Sequence, residues 1–334
     1  MKKEVTVLGG GSWGTVLANL ASLNGHDVCL WMRDEEVAQS INNNHVNSRY
    51  LPDYLLNKSL KATNNIEDIK TSSLVLFCIP SNSFREVLSK SIRYIDPEAY
   101  LISATKGIEE EGFLLMSQIL EAETNNDQVG VISGPNLALE ISKKQLTGTV
   151  IASKSKELRE ECISIFSSGS FRLYTNTDPY GVELGGALKN IYAIACGIAD
   201  GLDSGENTIG MIMTRGLAEM SRFAVHQGAD PMTFLGLSGV GDLITTCASP
   251  LSRNHAFGKL IGSGLSVEEA KNGVGQTTEG LSTLKIVWDK SKKEGIKMPI
   301  VNSLYEIIYK NLSLNGSIEK VLGTDQAKDV EFSR

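Results

Sequence analysis

The segment Gly181-Val182-Glu183-Leu184-Gly185-Gly186-Ala187-Leu188-Lys189-Asn190 sets a lysine one helical turn after two adjacent glycines. Glycine inside a helix costs about 1 kcal/mol relative to alanine, so something must need the missing side chains. Helical side chains lean toward the N-terminus, over the residues three and four back, which for Lys189 are Gly186 and Gly185. The ammonium then crosses a bare patch of backbone where a small molecule fits, beside the apolar run 191–199. A lysine so placed serves as proton acceptor or donor. Close helix packing with a solvated lysine satisfies the same spacing.

A second block reads Gly239-Val240-Gly241-Asp242-Leu243-Ile244-Thr245-Thr246. In a helix Asp242 and Thr246 are four apart and share a face. Ser249-Pro250-Leu251-Ser252-Arg253-Asn254 follows. Pro250 breaks the helix, and Ser252 suits the N-cap of the next one. Arg253 and Asn254 then occupy its first turn, where free N–H groups, a guanidinium and an amide make an anion site fit for a phosphate. A capped surface helix without a ligand reads the same way.

The third block opens the chain. Gly9-Gly10-Gly11-Ser12-Trp13-Gly14 is G-x-G-x-x-G, and it lies between the strand-like run 5–8 and the helical pattern 14–23. That context is what a dinucleotide fingerprint requires. Gly9 serves the tight turn and Gly11 the approach of a pyrophosphate. Gly14 opens a helix whose N–H groups face the negative charge. The next strand ends Leu30-Trp31-Met32-Arg33-Asp34. Arg33 stands where a guanidinium meets a ribose 2′-phosphate, which favours NADP, while Asp34 keeps NAD open.

These residues need elements to hold them. Short apolar runs at 5–8, 28–32, 74–79, 100–104, 129–133 and 149–152, with a weaker one at 171–174, alternate with helical patterns. Continuous apolar strands joined by helical crossovers imply a mostly parallel sheet covered on both faces. From about Pro179 the texture is helical only, clearest at 182–198, 211–227, 267–271, 281–294 and 300–311. The expectation is an α/β dinucleotide-binding domain over residues 1–177 and an all-helical substrate-binding and catalytic domain over 178–334.

Composition bounds the function. With 334 residues the chain has room for two domains and a core that needs no staples. Lys+Arg 32 against Asp+Glu 39 gives a net charge of −7, which argues against general nucleic-acid binding. The five cysteines lack any C-x-x-C pair and the four histidines are scattered, so the thiols read as small buried residues of a reducing cytosol and no metal is expected. Lys2 and Lys3 precede an apolar run too short for a signal peptide. The apolar stretches 74–80 and 191–199 fall well short of the roughly 20 residues that a membrane helix needs. A cytoplasmic protein without a membrane span is the expectation.

Five blocks in register resemble the bacterial NAD(P)-dependent glycerol-3-phosphate dehydrogenase family over nearly the full length. They are 9–14 with Trp13, Thr105-Lys106-Gly107-Ile108-Glu109, Gly134-Pro135-Asn136-Leu137-Ala138, residues 183–190, and 239–246 running on to Ser252-Arg253-Asn254. The resemblance implies a Rossmann-type domain followed by a helical domain similar to that of 6-phosphogluconate dehydrogenase. It implies interconversion of dihydroxyacetone phosphate and sn-glycerol 3-phosphate with NADPH or NADH, a homodimer, and a role in supplying phospholipid synthesis. The family's proton acceptor falls on Lys189, and a lysine touching both substrate and cofactor falls on Lys106. The implied substrate set is Lys106, Gly134, Asn136, Asp242, Ser252, Arg253 and Asn254. The implied cofactor set is Ser12, Trp13, Arg33, Lys106, Ala138, Arg253, Thr277 and Glu279, beside the glycines of the fingerprint. Two departures stand out. Gln276-Thr277-Thr278 replaces apolar residues before Glu279-Gly280, and Asn136 replaces a serine while keeping a donor for a substrate oxygen.

Two other functions fit the same architecture. One is a β-hydroxyacid or 6-phosphogluconate type of dehydrogenase with a lysine in its second domain. The other is a dinucleotide sensor without catalysis, which the presence of both Lys189 and Arg253 disfavours.

Overall fold

A computed structural model describes residues 2–69, 72–275 and 278–314. The chain divides into two compact units, Met1–Glu183 and Leu184–Arg334. The division falls inside a helix, a few residues beyond the expected 177/178 boundary.

The first unit is built on an eight-stranded sheet. Its strands are β1 (Glu4–Leu8), β2 (Asp27–Trp31), β3 (Lys61–Thr63), β4 (Leu74–Phe77), β5 (Tyr100–Ser103), β6 (Val129–Ser133), β7 (Thr147–Ala152) and β8 (Phe171–Asn176). They lie in the order β8-β7-β6-β5-β4-β1-β2-β3. Every neighbouring pair is parallel except β6 and β7. The central strands are buried on both faces, because side chains alternate between two apolar clusters. Leu74 and Leu76 of β4 join one cluster; Val75 and Phe77 join the other. The first cluster is closed by helices α1 (Ser12–Leu23), α2 (Glu35–Asn44) and α6 (Lys156–Phe166). The second is closed by α3 (Phe84–Ser91) and α4 (Met116–Thr124). A short helix α5 (Ala138–Ser142) follows β6, and a hairpin pairs Val46–Asn47 with Leu51–Leu55. Strand β3 has no apolar run in the sequence; it is a three-residue edge strand that only its pairing to β2 creates.

The second unit holds no strand among the described residues. Helix α7 (Pro179–Gly201) enters it from the first unit, and α8 (Glu206–His226) follows. Then come a π-helical turn at Leu237–Gly241, α9 (Asp242–Ala248), α10 (Arg253–Gly262), α11 (Val267–Val274), α12 (Glu279–Glu294) and α13 (Pro299–Lys310). Helix α7 is the one described helix long and apolar enough to cross a membrane, a property that the short apolar runs of the sequence hide. Its apolar window is 94% buried inside the protein, as in a core helix.

Helix ends follow local chemistry. Ser266 and Glu269 form a capping box at the start of α11, whose end is turned by Gly275 at φ 65°. The Glu219 carboxylate on α8 accepts from the backbone N–H of Ile300 at 2.6 Å and of Val301 at 3.3 Å, at the first turn of α13. Burial pushes that carboxyl up to about 7. Trp288 and Tyr305 stack at 3.7 Å, binding α12 to α13.

Candidate functional site

In the first unit the glycine-rich turn joins β1 to α1. A Cβ on Gly9 (φ 124°) would lie 2.3 Å from the Cys78 carbonyl oxygen, and one on Gly14 would lie 2.0 Å from the Gly9 carbonyl oxygen. Those two glycines let the turn close on itself. Gly11 differs: a Cβ there meets nothing within 4 Å. Its bareness is not consumed by the described protein, so the space is free for a ligand. Helix α1 starts at Ser12 with no side-chain cap, and N–H groups at such an end suit a pyrophosphate. The turn therefore fits the dinucleotide that its sequence implies. Trp13 is half-buried against the core, edge-on to Phe171 at 6.2 Å, so its ring also supports the fold.

At the end of β2, Arg33 is exposed and its Nη2 donates to Glu86 Oε2 at 3.0 Å. Asp34 has a role that the sequence did not suggest. One carboxylate oxygen accepts from Val37 N at 3.1 Å, capping α2, and the other accepts from Arg49 Nη1 at 3.1 Å. The cap bond and Arg49 hold this carboxyl below the usual range.

The C-terminal ends of parallel strands are where open α/β sheets bind ligands. After β5, Thr105 Oγ1 donates to the Ile79 carbonyl at 2.8 Å, and Lys106 Nζ donates to the Gly134 carbonyl at 3.1 Å. Lys106 and Gly134, from the loops after β5 and β6, are thus brought together. Asn136 Nδ2 donates to Thr149 Oγ1 at 3.0 Å. One amide hydrogen is turned inward, because Thr149 Oγ1 spends its own proton on the Ser133 carbonyl and needs one in return. The second amide hydrogen and the amide oxygen remain. Asn136 Oδ1 and Ser133 Oγ are buried with no hydrogen-bond partner among the described residues. Leaving such atoms unmade is costly, which suits a polar ligand. Ser133 escaped the sequence reading, since it looks like the last residue of a buried strand. Ala138 opens α5 beside this loop and is half-buried against the core.

In the second unit Lys189 is buried on α7. Its ammonium donates to Asp242 Oδ1 at 2.5 Å and to Thr246 Oγ1, and Thr246 Oγ1 donates to the same carboxylate oxygen at 3.3 Å. The four-residue spacing on α9 does place both side chains on one face. The expected bare patch is filled on its Gly185 side. A Cβ on Gly185 would lie 3.0 Å from the Ser238 carbonyl oxygen, so the turn before α9 occupies that space and brings Asp242 to the lysine.

The anion end of α10 is also altered by packing. Ser252 does cap the helix, its Oγ accepting from His255 N at 3.3 Å. Asn254 does not open to solvent. Its Nδ2 donates to Asn190 Oδ1 at 3.0 Å and its Oδ1 accepts from Gly280 N at 3.0 Å, joining α7, α10 and the first turn of α12, where Glu279 lies. Four glycines permit this approach. Cβ atoms on Gly197 and Gly258 would each lie 2.1 Å from a carbonyl oxygen of the other helix, those on Gly201 and Gly262 2.3 Å. Arg253 is exposed at the start of α10. Thr277 lies outside the described residues.

Among the described residues no group of three His, Cys, Asp or Glu could hold a metal. The five cysteines are free thiols.

Known proteins resemble this chain along its length. Residues 4–159 match the N-terminal profile of NAD-dependent glycerol-3-phosphate dehydrogenase, and residues 178–319 match its C-terminal profile. A glycerol-3-phosphate dehydrogenase [NAD(P)+] of Alcanivorax borkumensis is 48% identical over 332 residues, 99% of this chain and 97% of that one. Its counterpart in Acinetobacter baumannii is 49% identical over 330 residues, 98% of this chain and 92% of that one. The crystal structure of glycerol-3-phosphate dehydrogenase from Coxiella burnetii superposes with a TM-score of 0.91 at 35% identity, covering 96% of this chain and 99% of that one.

Proposed function

This chain belongs to the NAD-dependent glycerol-3-phosphate dehydrogenase family, and from that premise we propose that it interconverts dihydroxyacetone phosphate and sn-glycerol 3-phosphate. The observation that carries the reading is the buried Lys189 ammonium held by Asp242 and Thr246. Reduction of a ketone needs a proton at the carbonyl oxygen. Lys189 supplies it to the developing alkoxide and takes it back in the reverse direction. Asp242 neutralises the ammonium, and Thr246 fixes its direction by accepting one of its hydrogens. When bound, the nicotinamide supplies or accepts the hydride.

Lys106 and the Gly134–Asn136 loop hold the glycerol portion, with Asn136 Oδ1 accepting from a hydroxyl. Arg253 binds the phosphate, beside the N–H groups that open α10. Ser252 shapes that end by capping it, and Asn254 by tying it to α7 and α12. Gly9, Gly11, Ser12, Trp13, Gly14, Arg33, Lys106, Ala138, Arg253, Thr277 and Glu279 make up the cofactor set. Arg33 reads a 2′-phosphate, so NADPH is the preferred cofactor. We place the enzyme in the cytoplasm as a homodimer that feeds glycerophospholipid synthesis; family membership is the support for this part.

The test is spectrophotometric. NADPH absorbance should fall on adding dihydroxyacetone phosphate, and should fall far more slowly with dihydroxyacetone, which lacks the phosphate. No oxidation with the phosphorylated ketone, but turnover of a 2-keto or β-keto acid, would move the chain to a hydroxyacid reaction.

A further inference from the structure

Asn47 has no exposed surface, although it borders the turn of a short hairpin. Its amide is fully committed. Nδ2 donates to the Gly10 carbonyl at 2.9 Å and to Thr15 Oγ1 at 2.8 Å, and Oδ1 accepts from Tyr50 N at 3.1 Å. Two of these bonds tie the 47–50 turn to the glycine-rich turn and to α1, and the third closes the turn itself. A buried, fully satisfied polar group of this kind rigidifies its surroundings.

What the turn carries is Arg49. Its Nη1 donates to Asp34 Oδ2 at 3.1 Å, and its guanidinium stands 5.5 Å from the centre of the Tyr50 ring. Asp34 is the residue after Arg33, at the end of β2, the strand end that faces the adenosine ribose in dinucleotide-binding folds. In an NAD-selective fold a carboxylate there accepts from the ribose hydroxyls. Here each oxygen of Asp34 already accepts one bond, from the α2 cap and from Arg49. The carboxylate thus holds a cation beside the place that a ribose takes in dinucleotide-binding folds. Among the described residues Nε and Nη2 of Arg49 make no hydrogen bond, which leaves them for a further anion, and a guanidinium grips phosphate through two parallel N–H donors.

We propose that Arg49, oriented by Asp34 on a turn that Asn47 locks to the glycine loop, is a second specificity-determining residue for the adenosine 2′-phosphate, alongside Arg33. The assignment rests on the NADPH preference proposed above. Two guanidiniums around one dianion give discrimination that a single exposed arginine, already paired to Glu86, supplies only in part.

Equilibrium binding tests it without turnover. NADPH, NADH and adenosine 2′,5′-bisphosphate would be titrated by calorimetry against wild type, Arg49→Ala and Arg33→Ala, each checked for an unchanged melting temperature. Arg49 is exposed, so its loss should leave the fold intact. Arg49→Ala should weaken NADPH and the bisphosphate by about tenfold, with NADH changed by less than about twofold. An equal loss for NADH and NADPH would assign Arg49 to the turn's structure instead. If wild type discriminates, Arg33→Ala abolishes the discrimination and Arg49→Ala leaves it intact, the assignment is overturned while the NADPH preference stands. If wild type binds NADPH no tighter than NADH, both fall together.

Discussion

The glycines of the α7–α10 crossing and those of the β1–α1 turn do different work, and the difference is visible in what a methyl group would strike. In the second unit Gly197, Gly201, Gly258 and Gly262 all face the backbone of a neighbouring helix, and Gly185 faces the turn before α9. Each is used up by packing. In the first unit Gly9 and Gly14 are likewise used up, but Gly11 faces open space at the start of a helix. A glycine needed for packing shows its neighbour within the protein. Gly11 shows none, and it opens a helix inside the G-x-G-x-x-G turn, which is where a pyrophosphate sits. The Gly185 region is instead a crossing of α7 with the turn before α9 that delivers a lysine to a carboxylate.

The largest effect should come from the residue that crossing delivers. Lys189→Met should lower turnover on the order of 10²–10⁴-fold, as loss of a general acid does, with cofactor affinity unchanged. It also strips a buried carboxylate of an ion-pair partner, so Lys189→Met/Asp242→Asn should be assayed in parallel to separate folding from chemistry. Near-normal turnover in the folded variants would break the assignment.

Two glycine substitutions sharpen the contrast. Gly258→Ala forces a Cβ to within 2.1 Å of the Ile194 carbonyl oxygen and must push α7 and α10 apart. It should destabilise the protein by roughly 2–5 kcal/mol, read as a lowered denaturant midpoint. Gly11→Ala, at an ordinary φ of −70°, should leave the midpoint unchanged and weaken NADPH and NADH alike by about tenfold or more. A stable Gly258→Ala, or a destabilised Gly11→Ala with normal cofactor affinity, would remove the distinction.

A smaller effect concerns Glu183, on the part of α7 that belongs to the first unit. Its carboxyl is buried among Ser103 Oγ at 3.1 Å, Ser117 N at 3.2 Å and Ser117 Oγ, and burial pushes it up to about 7. Between its ordinary value near 4.5 and 7 the unfolded chain releases this proton while the folded chain keeps it. Stability therefore falls as pH rises across that window, by roughly 1 kcal/mol per unit for this group, and levels off above it. Glu183→Gln cannot ionise, so urea midpoints measured from pH 4 to 8 should show the variant gaining on wild type through the window. A constant difference at all pH values would show that folding leaves the Glu183 carboxyl at its ordinary value.

Much of this site is legible in the sequence. The fingerprint 9–14, the strand alternation, the four-residue spacing of Asp242 and Thr246 and the cap at Ser252 are local patterns, and local patterns are set by neighbours in sequence. Asn47 and Arg49 carry no such signal. Their importance comes from partners at Gly10, Thr15 and Asp34, far off along the chain, and no motif encodes that distance. The four glycines of the α7–α10 crossing, each pair spaced by four, were present in the sequence but gain meaning only when the two helices meet.

By itself the sequence determined the two-part organisation, the parallel sheet and the residues able to do chemistry, because periodicity, caps and glycine spacing act over a few residues. Tertiary structure decided what those residues face. Lys189 is paired with Asp242, Asn254 with Asn190 and Gly280, and Asp34 with a helix cap and a guanidinium. In each case a buried or capping polar group must find a partner, and only the packed chain determines which partner is within reach.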